Sequence, residues 1–172
     1  MSLWLNNPVK IPSAQHQQNA AERQAVLTKP AGSLGVLEDI AIRLAGLQAN
    51  DQPQIKTPYI SIFAGDHGIA EEGVSAFPQA VTAEMIRNFS RGGAAISVLA
   101  KQISAHFEVI NCGTVNELET LPHVINARIA AGTRNFAKQD AMTQAQFEAA
   151  LDIGRNAVQR AQAAQADVWI GG

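Results

Sequence analysis

Any chemistry in this chain has to start from the run Phe63-Ala64-Gly65-Asp66-His67-Gly68. Glycines on both sides of an Asp-His pair let the backbone come close to a ligand. The pair sets a carboxylate and an imidazole side by side. In one reading Asp66 accepts from a ligand N–H or hydroxyl, and His67 is a donor or proton relay. In the other, Asp66 caps a neighbouring turn and His67 packs at a rim, and the residues weigh equally for both. Downstream, Gly73-Val74-Ser75-Ala76-Phe77-Pro78-Gln79 reads as a loop. Phe77 beside Pro78 offers a flat apolar wall to an aromatic ligand, although an aromatic tucked onto the core is the commoner outcome. Glu84 and Arg87 stand one helical turn apart, the spacing of a surface ion pair. Arg91-Gly92-Gly93 opens a helix whose first N–H groups suit an anion, or is a plain stop and restart. Gly132-Thr133-Arg134-Asn135-Phe136 puts a guanidinium in a glycine-led loop, fit for a carboxylate or phosphate but more simply a solvated arginine.

Several chemistries are excluded. The four histidines, His16, His67, His106 and His123, share no ligand spacing, so no metal site is expected. A single cysteine, Cys112, allows neither an intrachain disulfide nor a thiolate zinc site and suits a reducing interior. There is no glycine-rich dinucleotide fingerprint and no phosphate-loop lysine motif. The net charge is -2 with no basic stripe, which argues against a nucleic-acid partner. Residues 1–10 lack a charged start followed by an apolar run, and no stretch has the length to span a bilayer. The expectation is a cytoplasmic domain with no membrane partner.

These residues need elements to hold them. With 172 residues, 47% hydrophobic and only 5% aromatic, the chain can bury a core in helix-rich layers. Residues 15–29 read as a helix stopped by Lys29-Pro30, since proline displaces the residue before it from the helical region. Ser33 is the expected N-cap of the next helix. Leu37, Ile40, Leu44 and Leu47 recur along it at spacings of three and four, marking one buried stripe. Three short β-prone runs follow, at residues 59–64, 107–112 and 167–170, each halted by glycine. Helical stretches at 81–89, 93–103 and 143–164 separate them, the last opened by Thr143 and Gln146 as a capping box. Strands separated by helices predict an α/β domain, mainly parallel and Rossmann-like, with its ligand outside the strands' carboxyl ends. The third strand delivers Gly171-Gly172 and the chain ends, as expected of a fragment.

Five blocks then carry a resemblance. Lys29-Pro30-Ala31-Gly32-Ser33-Leu34-Gly35 with Leu37-Glu38 is the first. Ala64-Gly65-Asp66-His67-Gly68, continuing through Gly73-Val74-Ser75, Phe77-Pro78 and Val81-Thr82 to Met85, is the second. Arg91-Gly92-Gly93-Ala94-Ala95-Ile96, Asn111-Cys112-Gly113 and Gly132-Thr133-Arg134-Asn135-Phe136 complete the set, in order over nearly the whole chain. Together they resemble the N-terminal half of the nicotinate-nucleotide:dimethylbenzimidazole phosphoribosyltransferases.

That resemblance implies a large α/β domain over residues 51–172, incomplete here, and helices within residues 1–50 that belong to a small helical domain. It implies a homodimer for the full-length enzyme and no metal or organic cofactor. The implied reaction moves phosphoribose from nicotinate mononucleotide to 5,6-dimethylbenzimidazole, giving α-ribazole 5'-phosphate and nicotinate in cobalamin assembly. Asp66, His67, Ser75, Phe77, Pro78 and Glu84 would line or border the benzimidazole side, although Glu84 departs from the glutamine common there. Gly171 and Gly172 would begin the loop that receives the phosphate. The glutamate acting as general base is expected beyond residue 172, so no catalytic residue is assigned and the chain alone is expected to be inactive. A binding module that captures a flat heteroaromatic without turnover is the second hypothesis. A metal-dependent hydrolase built on Asp66 and His67 is the third, disfavoured by the missing ligand spacing.

Overall fold

The computed structural model describes residues 3–172; the first two positions of the N-terminal stretch weighed above lie outside them. The described chain divides into two compact units, one reaching Ile55 and the other running Lys56–Gly172.

The first unit is a pair of helices, α1 (Ala14–Val26) and α2 (Val36–Gln48). Ser13 caps α1 by accepting from the backbone N–H of His16. The helix ends at Val26, short of the expected Lys29, because Lys29 is used differently. Its ammonium lies 2.8 Å from Glu38 Oε1, which also accepts from the Leu34 N–H. This clamp shapes the turn, and Gly35, at φ 54°, takes the N-cap place expected of Ser33. The expected stripe is not buried: Leu37, Ile40 and Leu47 are 64%, 50% and 62% exposed. The buried positions are Ala20 on α1 and Ala45 and Gly46 on α2, and a Cβ added at Gly46 would overlap Gln17. The two helices approach through small residues, so the bulky face is left outside.

The second unit is a four-stranded, all-parallel sheet ordered β3-β2-β1-β4. Its strands are β1 (Pro58–Gly65), β2 (His106–Gly113), β3 (Val124–Asn126) and β4 (Val168–Gly171). Three of them match the β-prone runs. The three-residue β3 is too short and too flanked by polar residues to stand out in the sequence. Between the strands run α3 (Ala80–Ser90), α4 (Ala95–Gln102) and α5 (Gln144–Ala163). The last opens on the expected capping box of Thr143 and Gln146. Helix α4 starts two residues later than expected, because the Gly92 and Gly93 N–H groups are already spent on the Phe89 and Asn88 carbonyls that close α3.

Topology fixes where a ligand belongs. From β1 the chain steps outward to β2 and β3, then α5 carries it back past β1 to β4. The direction of winding therefore reverses between β1 and β4, and the crevice outside the strands' carboxyl ends opens at such a reversal. Successive side chains of β1 face opposite sides. Ile60, Val109 and Ile86 of α3 are buried to within 2% exposure, and with Ile110 they form the core. Across the sheet, Ser61 stands level with Glu108, whose carboxylate takes Arg160 of α5 at 2.8 and 2.9 Å. Tyr59 Oη and Ser61 Oγ donate to the same carboxylate at 2.9 and 2.8 Å. Burial alone would raise the Glu108 carboxyl, but Arg160, Ser61 and Tyr59 outweigh it and hold it below its ordinary value. Among the described residues no helix is long and apolar enough to cross a membrane.

Candidate active site at the carboxyl end of β1

A cavity of about 480 Å³ opens where β1 ends. Ile62 and Ala64 of β1 form part of its lining. Val81, Met85 and Phe89 of α3 line it at a spacing of four, so one stripe of the helix faces the cavity while Ala83 and Ile86 face the core. That spacing was the only mark in the sequence of Phe89, a lining residue not foreseen there. Val74, Phe77 and Pro78 of the following loop line it as well. Phe77 is 71% exposed, so it is not the tucked loop aromatic that the sequence favoured. It stands free as a wall.

Asp66 and His67 also line this cavity. Asp66 is buried, and its Oδ2 accepts from the Val115 N–H at 2.8 Å, the contact expected under the turn-capping one of its two readings. Among the described residues Oδ1 has no protein donor, which leaves one carboxylate oxygen for a ligand. His67 is exposed, with Nδ1 3.4 Å from Thr133 Oγ1, and its carbonyl accepts from Gln79 Nε2 at 2.9 Å. Gln79 and Thr133 thus fix the histidine, and neither was marked for that role in the sequence. The backbone contributes too: Gly68 N donates to the Thr133 carbonyl at 3.0 Å, and a Cβ on Gly68 would sit 2.6 Å from the Asn135 nitrogen. Only glycine lets the 133–135 loop lie against the end of β1.

The other marked residues separate into those nearby and those elsewhere. Ser75 lines the cavity, but its hydroxyl donates to the Phe77 carbonyl at 2.9 Å and so braces its own loop. Glu84 is not among the lining residues; it pairs with Arg87 at 2.6 Å, and its side chain is 66% exposed. Arg87 also grips Glu119 through two nitrogens, drawing that carboxyl down to about 2. Gly171 pairs with Ser61, and Gly172 exchanges backbone hydrogen bonds with Ser61 and Phe63, so the end of β4 lies beside the strand that lines the cavity. Arg134 is exposed in its loop. The Arg91-Gly92-Gly93 amides close α3 and offer nothing to an anion.

A smaller space of about 80 Å³ lies behind Gly65, Asp66 and His67, lined also by Cys112 and Met142. Burial pushes the Cys112 thiol up, opposed in part by the Ala64 backbone, so it is a poor nucleophile. The chemistry on offer is therefore capture of a flat, largely apolar ring, with one carboxylate oxygen and one imidazole at its edge.

Comparison with known proteins identifies the chain's relatives. A phosphoribosyltransferase family model, DBI_PRT, matches residues 9–172. The nicotinate-nucleotide--dimethylbenzimidazole phosphoribosyltransferase of Pseudomonas aeruginosa (strain UCBPP-PA14) is 51% identical over 100% of this chain and 49% of its own length. That of Pseudomonas fluorescens (strain SBW25) is 53% identical over 98% of this chain and 48% of its own. The crystal structure of CobT from Thermus thermophilus superposes with a TM-score of 0.84 at 40% identity, over 92% of this chain and 47% of that one. The chain spans about half the length of the curated relatives it matches.

Proposed function

The chain belongs to the phosphoribosyltransferase family, and on that premise we propose that it forms the base-binding side of an enzyme moving phosphoribose from nicotinate mononucleotide to 5,6-dimethylbenzimidazole. The observation that carries this is the cavity at the carboxyl end of β1. Its lining includes the apolar Phe77, Met85 and Phe89 and the polar Asp66 and His67. A dimethylbenzimidazole is planar and apolar except for its two ring nitrogens, and such a lining buries the plane while its polar groups receive an N–H.

In this reading the neutral base lies with one nitrogen toward the end of β4. That nitrogen attacks the anomeric carbon as the bond to nicotinate breaks on the opposite face, giving α-ribazole 5'-phosphate and free nicotinate. Holding the two partners in line supplies much of the rate. A base must also accept the ring N–H proton as attack proceeds. Asp66 Oδ1 receives that N–H as a hydrogen-bond acceptor, His67 orients the ring edge, and Gly171-Gly172 borders the nucleotide side. Glu84, turned to Arg87, takes no part. The general-base glutamate of the family is assigned outside residues 1–172, so this polypeptide binds the base without turning it over. The helices up to Ile55 are assigned to the family's small domain, and the full-length enzyme to a cytoplasmic homodimer acting in cobalamin assembly.

The test is to titrate the 172-residue protein with 5,6-dimethylbenzimidazole by calorimetry, then add nicotinate mononucleotide and assay for α-ribazole 5'-phosphate. Saturable one-to-one binding with no product is expected. Absence of binding by the folded chain would overturn the assignment of the cavity, and product would overturn the claim that the chain does not turn over.

A further inference from the structure

A second groove, which shares Phe89 with the candidate site's lining, lies where β2 begins at His106 and where α3 and α4 end. At about 470 Å³ it matches the candidate site's 480 Å³ in size. Phe89 and Phe107 give it apolar surface, while Arg91, Lys101, His106 and His123 give it a basic rim. Four separate places in the chain bring these side chains together: the C-cap of α3, the last turn of α4, the first residue of β2 and the loop before β3. No carboxylate belongs to the lining, although the whole chain carries a net charge of -2.

A purely structural role for these cations does not use them up. Arg91 and Lys101 sit at helix C-termini, where a cation offsets a dipole end of roughly half a charge. Two full cations against two such ends leave roughly one positive charge. Among the described residues, none of the four basic side chains has a carboxylate partner; Arg91 Nε donates to the Arg87 carbonyl at 3.2 Å, so its two terminal nitrogens are what it can offer. Glu119, whose charge Arg91 does reach, is already gripped by two bonds from Arg87. The neutral polar groups are spent as well. Ser90 Oγ donates to the Pro122 carbonyl at 2.7 Å, and Ser97 Oγ to the Phe89 carbonyl at 3.2 Å. What remains for a ligand is cation and aromatic surface. The His106 ring stacks on Tyr59 with centroids 5.5 Å apart, which holds it as a fixed wall.

From this combination we propose that the groove binds an aromatic phosphomonoester of nucleotide size. Arg91 and Lys101 take the phosphate and the ring lies along Phe89 and Phe107. Inorganic phosphate alone would leave most of the volume and all of the aromatic surface unused. A neutral nucleoside would leave the cations unanswered.

Adenosine 5'-monophosphate, adenosine and inorganic phosphate serve as probes, titrated into the 172-residue protein by calorimetry and by amide chemical-shift mapping. Adenosine 5'-monophosphate is expected to perturb the amides of residues 90–92, 100–107 and 123, with adenosine at least about tenfold weaker, since it lacks the charge-assisted hydrogen bonds, and inorganic phosphate about tenfold weaker, since it lacks the ring contacts and the apolar area they bury. Raising salt from about 50 to about 500 mM weakens it further. In the double variant Arg91→Ala/Lys101→Ala the dissociation constant rises at least about tenfold, while 5,6-dimethylbenzimidazole binding is unchanged. Both side chains are exposed, and an unchanged melting temperature confirms that the variant folds. Equal affinity of the double variant, perturbation confined to the β1 cavity, or a preference for single-stranded RNA over the mononucleotide would each overturn the proposal.

Discussion

Replacing Gly68 with alanine probes the geometry on which the site depends. The new methyl would meet three backbone atoms of the neighbouring loop, Asn135 N at 2.6 Å and Arg134 C and Thr133 O at 2.7 Å. Ordinary contact begins near 3.4 Å, so the loop has to retreat by about 0.8 Å, and no flexible side chain is available to give way instead. Retreat breaks the 3.0 Å bond from Gly68 N to the Thr133 carbonyl and loosens the contact that fixes His67. Overpacking of this kind costs about 1–3 kcal/mol and the lost hydrogen bond about 1 kcal/mol. The total is about 2–4 kcal/mol, or about 8–16 °C of melting temperature for a domain of this size. Gly73→Ala is the control: its φ of 70° makes alanine strained, yet nothing stands within 4 Å of the new methyl, so about 1 kcal/mol is expected. Thermal melts followed by circular dichroism, with 5,6-dimethylbenzimidazole titrations of each folded variant, read both effects. A Gly68→Ala protein that melts with wild type, or that loses less than the Gly73→Ala protein, would refute the close approach.

Two further perturbations test separate parts of the account. Glu108→Gln removes the charge that Arg160, Tyr59 and Ser61 surround, at a cost of about 2–3 kcal/mol given that Arg160 is only partly buried. The folded carboxyl lies below its ordinary 4.5, so its contribution is fully present above that pH and is lost as pH falls through the lower folded value. Urea midpoints of wild type and variant should therefore differ most near neutral pH and converge in acid; a constant or growing difference contradicts the network. Phe77→Ala removes an exposed wall, so the melting temperature stays within about 1 °C while base affinity falls about five- to thirtyfold, from loss of one aromatic contact of about 1–2 kcal/mol. Unchanged affinity in calorimetry would take Phe77 out of the site.

How much was legible in the sequence differs by residue. Strands β1, β2 and β4 showed themselves because each is an apolar run cut off by glycine, and α5 because Thr143 and Gln146 form a reciprocal cap that needs no tertiary partner. Strand β3 did not, since Val124-Ile125-Asn126 pairs through a register only the folded neighbour supplies. On α2 the apolar periodicity was real, but which face a helix buries depends on what it meets, and α1 meets Ala45 and Gly46. Asp66 and His67 stood out by type and flanking glycines, and both line the cavity at the end of β1. What Asp66 touches was open in the sequence, and the Val115 N–H decides it for one oxygen only. Long-range partners such as Thr133 and Gln79 left no local mark, because their value lies in a crossing of chain segments up to 66 residues apart. The basic groove was hidden for the same reason: its four side chains are scattered in sequence and converge only after folding.

The central claim is tested most directly by a structure, crystallographic or from intermolecular NMR contacts, of this 172-residue protein with 5,6-dimethylbenzimidazole bound. The ring is expected flat between Phe77 and the Met85–Phe89 face of α3, with one nitrogen within hydrogen-bond reach of Asp66 Oδ1. A base seated elsewhere, or seated there with neither nitrogen near Asp66 or His67, would contradict the account.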